Sequence, residues 1–358
     1  MEDNQHEINE QLPENQNPQD AQTEETTGDS QPTPFPNHDN VHPDVSMVTS
    51  FAEKVRLEIG KVVIGQEEMV ELLLAGVLVG GHVLLEGYPG IAKTLTAKML
   101  AKSIAADFSR IQFTPDLMPT DITGTAVFNL KESEFSFRKG PVFSNIVLID
   151  EINRAPAKTQ AALMEVMEER QLTYDGETYK MDFPFFVIAT QNPVEQEGTY
   201  NLPEAQLDRF IFRIRIPYPT LSEEQAILRR FQNDFDGVTT QEISSVVNVD
   251  QLKAIKAIIE KVYIKPELID YISAVVHNTR NNGDLFLGAS PRASLSILRA
   301  SKAIAAMRGR GFVTPDDIKH VAIHVLNHRL ILSHEREMEG TTMTEVINAI
   351  LQNIEVPR

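Results

Sequence analysis

G-Y-P-G-I-A-K-T, residues 87–94, follows the apolar run 83–85 and precedes 95–104, a segment rich in Leu, Ala, Met and Lys. A strand, a glycine-containing turn, Lys-Thr and a helix in this order are typical of a phosphate-binding loop. In such a loop, backbone N–H groups surround an anion and the helix dipole adds positive charge. The predicted nucleotide-binding residues are Gly87, Tyr88, Pro89, Gly90, Ile91, Ala92, Lys93, Thr94 and Leu95.

One position departs from the loop pattern, because Ala92 stands where a second glycine is expected. Alanine costs little where the backbone angle φ is negative and is strained where φ is positive. The pattern alone does not decide between these two conformations. Lys93 is expected to reach the terminal phosphates, and the Thr94 hydroxyl to hold Mg²⁺.

Polar side chains follow two other predicted strands. The apolar residues 146–149 lead into Asp150 and Glu151, and the apolar run 185–190 leads into Gln191 and Asn192. Ligand chemistry in an open parallel sheet lies at the carboxyl ends of the strands. We expect Asp150 to hold Mg²⁺, Glu151 to polarise an attacking water, and Asn192 to contact that water or the γ-phosphate. For Asn192, a plain Asn-Pro turn is the alternative.

Two arginines are candidates for stabilising charge during phosphoryl transfer. Arg209 ends a short predicted helix, 202–210, and is interpreted as an arginine finger, although surface ion pairs explain most arginines in such positions. Arg292 lies near a helix start, where the dipole disfavours a cation; a salt-bridged surface arginine is its alternative. If Arg209 lies away from its own nucleotide, it must serve the next subunit, and such head-to-tail contacts close into a ring.

Composition limits the class of protein. The 358 residues include no cysteine, which excludes disulfides, zinc–thiolate sites and thiol catalysis. Neither a membrane-span-length apolar run nor a signal pattern is present, so we predict a cytoplasmic, soluble protein. Residues 1–46 hold 11 Asp or Glu and no Lys or Arg, and we predict a disordered acidic tail. The rest lacks the basic stripe of a nucleic-acid binder.

Pro217-Tyr218-Pro219 divides strand-like patterns from helical ones. We predict an α/β core with a parallel sheet at 47–219 and an all-helical lid domain at 220–358. Hairpins are predicted at 126–138 and 171–181. The predicted helices outside the phosphate-loop region are 48–62, 67–79, 161–170, 222–231, 249–261, 266–278, 291–307, 314–332 and 342–354.

Three histidines, His320, His324 and His328, recur at four-residue spacing in the predicted helix 314–332. No acidic or cysteine ligand occurs at matching spacing. We therefore interpret them as core or interface histidines rather than as a metal site.

Several motifs together resemble those of the MoxR group of AAA+ ATPases. They are G-Y-P-G-I-A-K-T, T-P-D-L-M-P-T-D-I-T-G, I-V-L-I-D-E-I-N-R-A, A-T-Q-N-P, L-P-E-A-Q-L-D-R-F, G-A-S-P-R and H-R-L-I-L-S. The resemblance covers roughly residues 48–355, and members commonly carry alanine at the Ala92 position. It implies an AAA+ P-loop core with a helical lid, ATP and Mg²⁺ as ligands, and catalytic roles for Glu151, Asn192 (first sensor), Arg209 (finger) and Arg292 (second sensor).

The resemblance also implies a biological role. Family members form rings, typically hexamers, and act as chaperones on protein clients, usually with a partner that bears a von Willebrand factor A domain. The hairpin after Gly124 would be an insertion in the core, the hairpin near Asp175 would face a central pore, and Arg154 is a candidate for reaching a neighbour's nucleotide. Whether Arg292 acts within its own subunit stays open.

Two alternative functions remain. A motor subunit of a metal chelatase is a related class that would need a tetrapyrrole-binding partner. A nucleic-acid motor or DNA-bound regulator is the alternative from another class, and it would need a DNA-binding module or a basic pore.

Overall fold

The structure is a computed structural model that describes residues 42–131, 133–194, 198–232 and 243–357. Nearly all of the predicted acidic tail lies outside these residues. The boundary predicted at residue 46 is too late, because the His42 ring lies 5.0 Å from the ring of Phe312 and Val45 is buried. His42 therefore already belongs to the compact unit that continues to the C-terminus.

Most helices and strands follow the predicted succession, whereas the short elements at 119–123, 285–287, 331–332 and 334–338 were not predicted. The helices are α1 (Ser46–Gly60), α2 (Glu67–Val79), α3 (Lys93–Ser103), α4 (Pro119–Thr123), α5 (Ala157–Glu169), α6 (Glu204–Leu207), α7 (Leu221–Phe231), α8 (Val249–Glu260), α9 (Pro266–Arg280), α10 (Pro291–Met307), α11 (Pro315–Leu326), α12 (His334–Met338) and α13 (Met343–Asn353). The strands are β1 (His82–Gly87), β2 (Phe108–Gln112), β3 (Gly124–Asn129), β4 (Glu134–Lys139), β5 (Ile146–Asp150), β6 (Gln171–Tyr174), β7 (Glu177–Lys180), β8 (Phe186–Gln191), β9 (Phe210–Ile216), β10 (Leu285–Leu287) and β11 (Ile331–Leu332).

A five-stranded sheet in the order β2-β5-β8-β1-β9 forms the centre, and every neighbouring pair is parallel. Successive residues of a strand point to opposite faces. Val83 and Leu85 accordingly enter the core formed with α1, α2 and α3, whereas Leu84 enters a second core that includes α5. Burial on both faces explains why these strands are continuous apolar runs, and the predicted parallel sheet is confirmed.

Two hairpins project from this core, as predicted. The β6–β7 turn places Asp175 at φ 50° and Gly176 at φ 82°, which suits a tight two-residue hairpin turn. Phe137 of the β3–β4 hairpin stacks on Tyr174, with ring centroids 4.7 Å apart, so the two hairpins support each other.

The C-terminal helices do not form an isolated bundle. Buried side chains of α8, α9, α10, α11 and α13 join those of α1, α2 and α3 in one continuous core. The lid therefore packs directly on the N-terminal helices. Side chains of Thr220, Asn248 and Thr342 cap α7, α8 and α13 by accepting a hydrogen bond from the backbone three residues on.

The predicted helix 314–332 is wrong at its C-terminal end. α11 stops at Leu326, and the side chain of Asn327 donates to the backbone oxygen of Arg213, 3.0 Å away. β11 then pairs with β10, so the lid is not purely helical. As a result, His328 does not continue the helical face of His320 and His324.

None of the helices in the described ranges is long and apolar enough to cross a membrane.

Candidate functional site

The loop between β1 and α3 turns sharply enough to require left-handed backbone at two positions. Gly90 has φ 81° and Ala92 has φ 63°. A non-glycine residue in this region is strained by roughly 1–2 kcal/mol. Of the two backbone conformations open to Ala92 from the sequence, the structure therefore shows the strained one, with positive φ. Gly87 serves packing instead, because a Cβ there would collide with the side chain of Ile91.

Neighbouring residues extend this loop in both directions. Lys93 begins α3, and its Nζ donates to the carbonyl oxygen of Gly87 at 2.5 Å, so its amine lies over the loop. Tyr88 stacks on Tyr218, with centroids 4.3 Å apart, which links the loop to the segment entering the lid. Leu95 packs against the core.

Asp150 ends β5 and collects three donors. Thr190 of β8 donates to Asp150 Oδ1 at 2.7 Å, and Arg110 of β2 donates to Oδ2 at 2.7 Å. Thr94 Oγ1 lies 3.5 Å from the same Oδ2. A hydroxyl and a carboxylate this close are the hard oxygen donors that Mg²⁺ prefers, so these residues fit the ion that the sequence predicts.

Glu151 is held by backbone and side-chain contacts. Its φ of 56° is left-handed, and its N–H donates to the Thr190 hydroxyl at 3.0 Å. Its carboxylate accepts a hydrogen bond from Gln112 at 2.8 Å and pairs with Arg154 at 3.1 Å. Arg154, a candidate for reaching a neighbour's nucleotide, therefore contacts the predicted catalytic carboxylate of its own chain.

Asn192 follows β8 directly and is 9 % exposed. Its Oδ1 accepts a hydrogen bond from the backbone of Val194, so the side chain also shapes the turn. Because β8 lies between β1 and β5, Asn192 stands between the phosphate loop and the two carboxylates. We call this end of the sheet the loop edge; it holds Lys93, Thr94, Asp150, Glu151 and Asn192.

Arg209 and Arg292 lie at the opposite end of the sheet. Glu168, near the end of α5, pairs with Arg209 Nη2 at 2.8 Å and with Arg292 Nη2 at 2.7 Å. Residue 167 of the same helix accepts from His82, the first residue of β1. A six-residue strand is roughly 17 Å long, so both arginines are far from the phosphate loop of their own chain. We call this end the arginine edge.

A buried arginine from the lid anchors the arginine edge. Arg329 donates to Asp208 Oδ1 and to the Phe210 carbonyl, both at 2.6 Å. Ser290 donates to the other carboxylate oxygen of Asp208 at 3.0 Å. Burial lowers the pKa of Arg329, although Asp208 opposes this. The lid thus fixes the residue immediately before Arg209.

Several of these partners were not predicted from the sequence. Arg329 lies in the H-R-L-I-L-S motif, which marks the position without indicating its role. No sequence signal distinguishes Glu168, because α5 also carries Glu165 and Glu169 and only the tertiary contacts set Glu168 apart.

The arginine edge encloses a groove of about 220 Å³. Its charged lining is Arg170, Arg209, Arg292, Arg299 and Arg329 with Glu168 and Asp208. Five cations against two carboxylates give this groove a net positive charge, although the chain as a whole carries a net charge of −18. Such a groove suits an anion.

His82 lies beneath this groove as a neutral ring. The Val187 N–H donates to its Nδ1 at 3.0 Å, so Nε2 carries the proton and donates to the Met167 carbonyl at 3.1 Å. Complete burial, with a smaller contribution from the charge of Arg170, lowers the pKa of His82 to about 4.

The core and the lid each match a known protein family. Residues 82–212 match the ATPase family associated with various cellular activities (AAA), and residues 277–350 match the AAA lid domain. A crystal structure of a candidate ATPase from Cytophaga hutchinsonii has a TM-score of 0.80 and 44 % sequence identity; the match covers 87 % of this chain and 97 % of that one.

Individual relatives agree with this match. Chaperone MoxR1 of Mycobacterium tuberculosis is 44 % identical over 315 residues, which cover 86 % of this chain and 82 % of the relative. The uncharacterized protein YeaC of Bacillus subtilis is 44 % identical over 84 % of this chain and 92 % of its own length. Protein MoxR of Methylorubrum extorquens is 28 % identical over 88 % and 99 %. The chain belongs to the MoxR family of AAA+ ATPases.

Proposed function

We propose that the chain hydrolyses ATP as one subunit of a homo-oligomeric ring that remodels protein clients. The observation that carries this proposal is the separation of two charged sites. The loop edge holds a complete set of phosphate-loop, carboxylate and amide groups, whereas Arg209 and Arg292 lie at the far end of β1.

At the loop edge, each residue has a distinct task. Thr94 and Asp150 would hold Mg²⁺, which neutralises phosphate charge when bound. Lys93 would move its amine from the Gly87 carbonyl to the terminal phosphates. Glu151, oriented by Gln112, would polarise the attacking water, and Asn192 would help to align it.

At the arginine edge, the basic groove would receive the phosphates bound to the neighbouring subunit. Arg209 and Arg292 share Glu168, so we infer that they act together and across the interface. This assigns Arg292 a role in trans, which the sequence left open. In such an assembly, the arginine edge of each subunit meets the loop edge of the next. This is a head-to-tail contact, which closes into a ring. We propose six subunits by analogy with the family.

Client contact is supported by the β3–β4 hairpin. Phe128, Leu130 and Phe135 are 46 %, 85 % and 73 % exposed at its tip. Clustered exposed apolar side chains are typical of protein-binding sites. A relative bears the name chaperone. We extend that role to this chain, with a von Willebrand factor A domain protein as its partner.

Phosphate release by the purified chain tests the hydrolysis. Lys93→Ala is expected to abolish turnover because it removes the amine that contacts the terminal phosphates. Lys98→Ala is a matched control, since Lys98 is an exposed lysine on the same helix. Near-normal hydrolysis by Lys93→Ala would refute the site assignment.

A trap variant tests the client. Glu151→Gln should bind ATP without hydrolysing it, and it should keep ring and client together during recovery from native cells. Mass spectrometry should then identify a von Willebrand factor A protein together with one enriched enzyme or envelope complex. Recovery of chelatase subunits, or of nucleic acid that resists high salt, would favour a rival function instead.

A further inference from the structure

Two pairs of metal-binding side chains face each other between the core and the lid. α2 carries Glu68 and Glu71, three residues apart, and α11 carries His320 and His324, four apart. Positions at these spacings share one helix face. His324 Nε2 lies 3.2 Å from Glu68 Oε1, and His320 Nε2 lies 3.1 Å from Glu71 Oε2.

The sequence pattern placed His320, His324 and His328 on one predicted helix face and did not favour a metal site there. The cluster in the structure is a different set of three. His328 is not a member, because it follows the end of α11 and its Nε2 is 2.9 Å from the Phe210 carbonyl oxygen in the core. Glu68, 252 positions before His320 in the chain, takes the third place. Ligand atoms of Glu68, His320 and His324 all lie within 4.8 Å of one another.

We propose that Glu68, His320 and His324 form a zinc site that fastens lid helix α11 to core helix α2. Two imidazoles and a carboxylate are a common three-residue ligand set for zinc, with water in the fourth position. Zinc bonds of about 2.0–2.1 Å in a tetrahedral site place the ligand atoms roughly 3.3 Å apart. The His324–Glu68 separation of 3.2 Å is already close to this value, and each of the other two pairs must close by at most about 1.5 Å, which is within the reach of side-chain rotation.

Surrounding contacts prepare the site. Arg56 and Arg308 hold Glu71 at 2.8 Å and 3.1 Å, and Glu71 in turn contacts His320. A carboxylate that accepts from one ring nitrogen of a ligating histidine orients the ring, so His320 would bind zinc through Nδ1 while its Nε2 stays on Glu71. The side chain of Glu68 is 58 % exposed, and a cavity of about 870 Å³ reaches Glu68, Glu71 and His320, so a hydrated ion has a way in.

The site would hold the lid on the core and take no part in ATP hydrolysis. It lies on α2 and α11, and none of its ligands belongs to the loop edge or the arginine edge. Bound zinc adds a cross-link between segments far apart in the chain, so it should stabilise the lid on the core. The inference does not depend on ATP hydrolysis.

Zinc titration of the full-length, untagged and metal-stripped chain tests the proposal. Equilibrium dialysis against Zn²⁺ alone, with a chromophoric chelator as competitor, should give one zinc per chain. Glu68→Gln should weaken zinc binding at least tenfold, because it removes a ligand at an exposed position where folding is not at risk. His320→Gln with His324→Gln should abolish stoichiometric binding and the zinc-dependent rise in Tm.

Matched controls and a spectroscopic readout make the result decisive. Glu67→Gln and His334→Gln alter neighbouring or exposed groups of the same type and should leave binding unchanged. Co²⁺ should give the intense visible absorption of a four-coordinate site in the wild type and lose it in Glu68→Gln. Equal zinc binding by the wild type and the double histidine variant, or no binding by the wild type, would overturn the proposal and leave two plain histidine–carboxylate hydrogen bonds.

Discussion

The two ends of the central sheet are built in different ways. At the loop edge, the key groups follow β1, β5 and β8 directly, and their mutual distances come from strand pairing. At the arginine edge, Glu168, Arg209, Arg292 and Arg329 come from four separate segments and meet through ion pairs and buried hydrogen bonds. The first site needs only a parallel sheet, whereas the second exists only once the lid has docked.

The largest expected effect is on ATP hydrolysis, when the loop edge and the arginine edge are inactivated in different subunits. Arg209→Ala should lower hydrolysis about a thousandfold or more, as loss of an arginine finger does, while ATP binding stays intact. Glu151→Gln subunits are also expected to be inactive on their own. In an equal mixture of the two variants, activity should return at about a quarter of the interfaces, where an Arg209→Ala subunit supplies the intact loop edge and a Glu151→Gln neighbour supplies Arg209. Phosphate release from defined mixtures measures this.

A control separates catalysis from folding in that experiment. Arg336→Ala removes another carboxylate-paired arginine, in α12, and should keep full activity. If the mixtures assemble into rings but recover no activity, Arg209 would act in the site of its own subunit. That result would contradict the proposal that the arginine edge serves the neighbouring subunit.

An intermediate effect concerns acid stability of the arginine edge. The unfolded chain protonates a histidine near pH 6.5, whereas folded His82 stays neutral down to about pH 4. The unfolded state therefore binds more protons in this window, and stability that is complete above pH 6.5 falls as pH falls toward 4. Between pH 7 and pH 5, His82 should account for a loss of about 2 kcal/mol.

Urea unfolding of His82→Asn at both pH values measures this contribution. The variant keeps an acceptor near the Val187 N–H but does not titrate, so its stability should fall by about 2 kcal/mol less than that of the wild type. His334→Asn, at a side chain that is 89 % exposed, should retain the wild-type dependence. Equal pH dependence in wild type and His82→Asn would remove His82 as the cause.

The smallest expected effect lies at the loop edge. Ala92→Gly should relieve the left-handed strain and stabilise the fold by about 0.5–1 kcal/mol, since the greater freedom of glycine in the unfolded chain offsets part of the gain. Chemical denaturation measures this difference. Ala97→Gly, in the regular part of α3, should instead destabilise by about 1 kcal/mol or more. Destabilisation by Ala92→Gly would show that the alanine side chain matters beyond backbone conformation.

Prediction from sequence was most successful where local patterns decide structure. The apolar runs before Asp150 and Asn192 became neighbouring strands, because continuous burial on both faces suits a parallel sheet. It failed at residues 327–332, where the apolar pattern continues but Asn327 bonds to β9 and Ile331 joins β10. Tertiary partners there outcompete the local helical preference.

By itself, the sequence determined the glycine-containing loop before Lys93, the carboxylates at the end of an apolar strand, and the order of the longer strands and helices, because each depends on neighbours in the chain. Only the tertiary structure decided that Ala92 is left-handed, that Glu168 joins Arg209 to Arg292, and that Glu68 meets His324. These contacts connect residues far apart in sequence. Which residues meet depends on how the lid packs on the core, and a local sequence pattern does not contain that information.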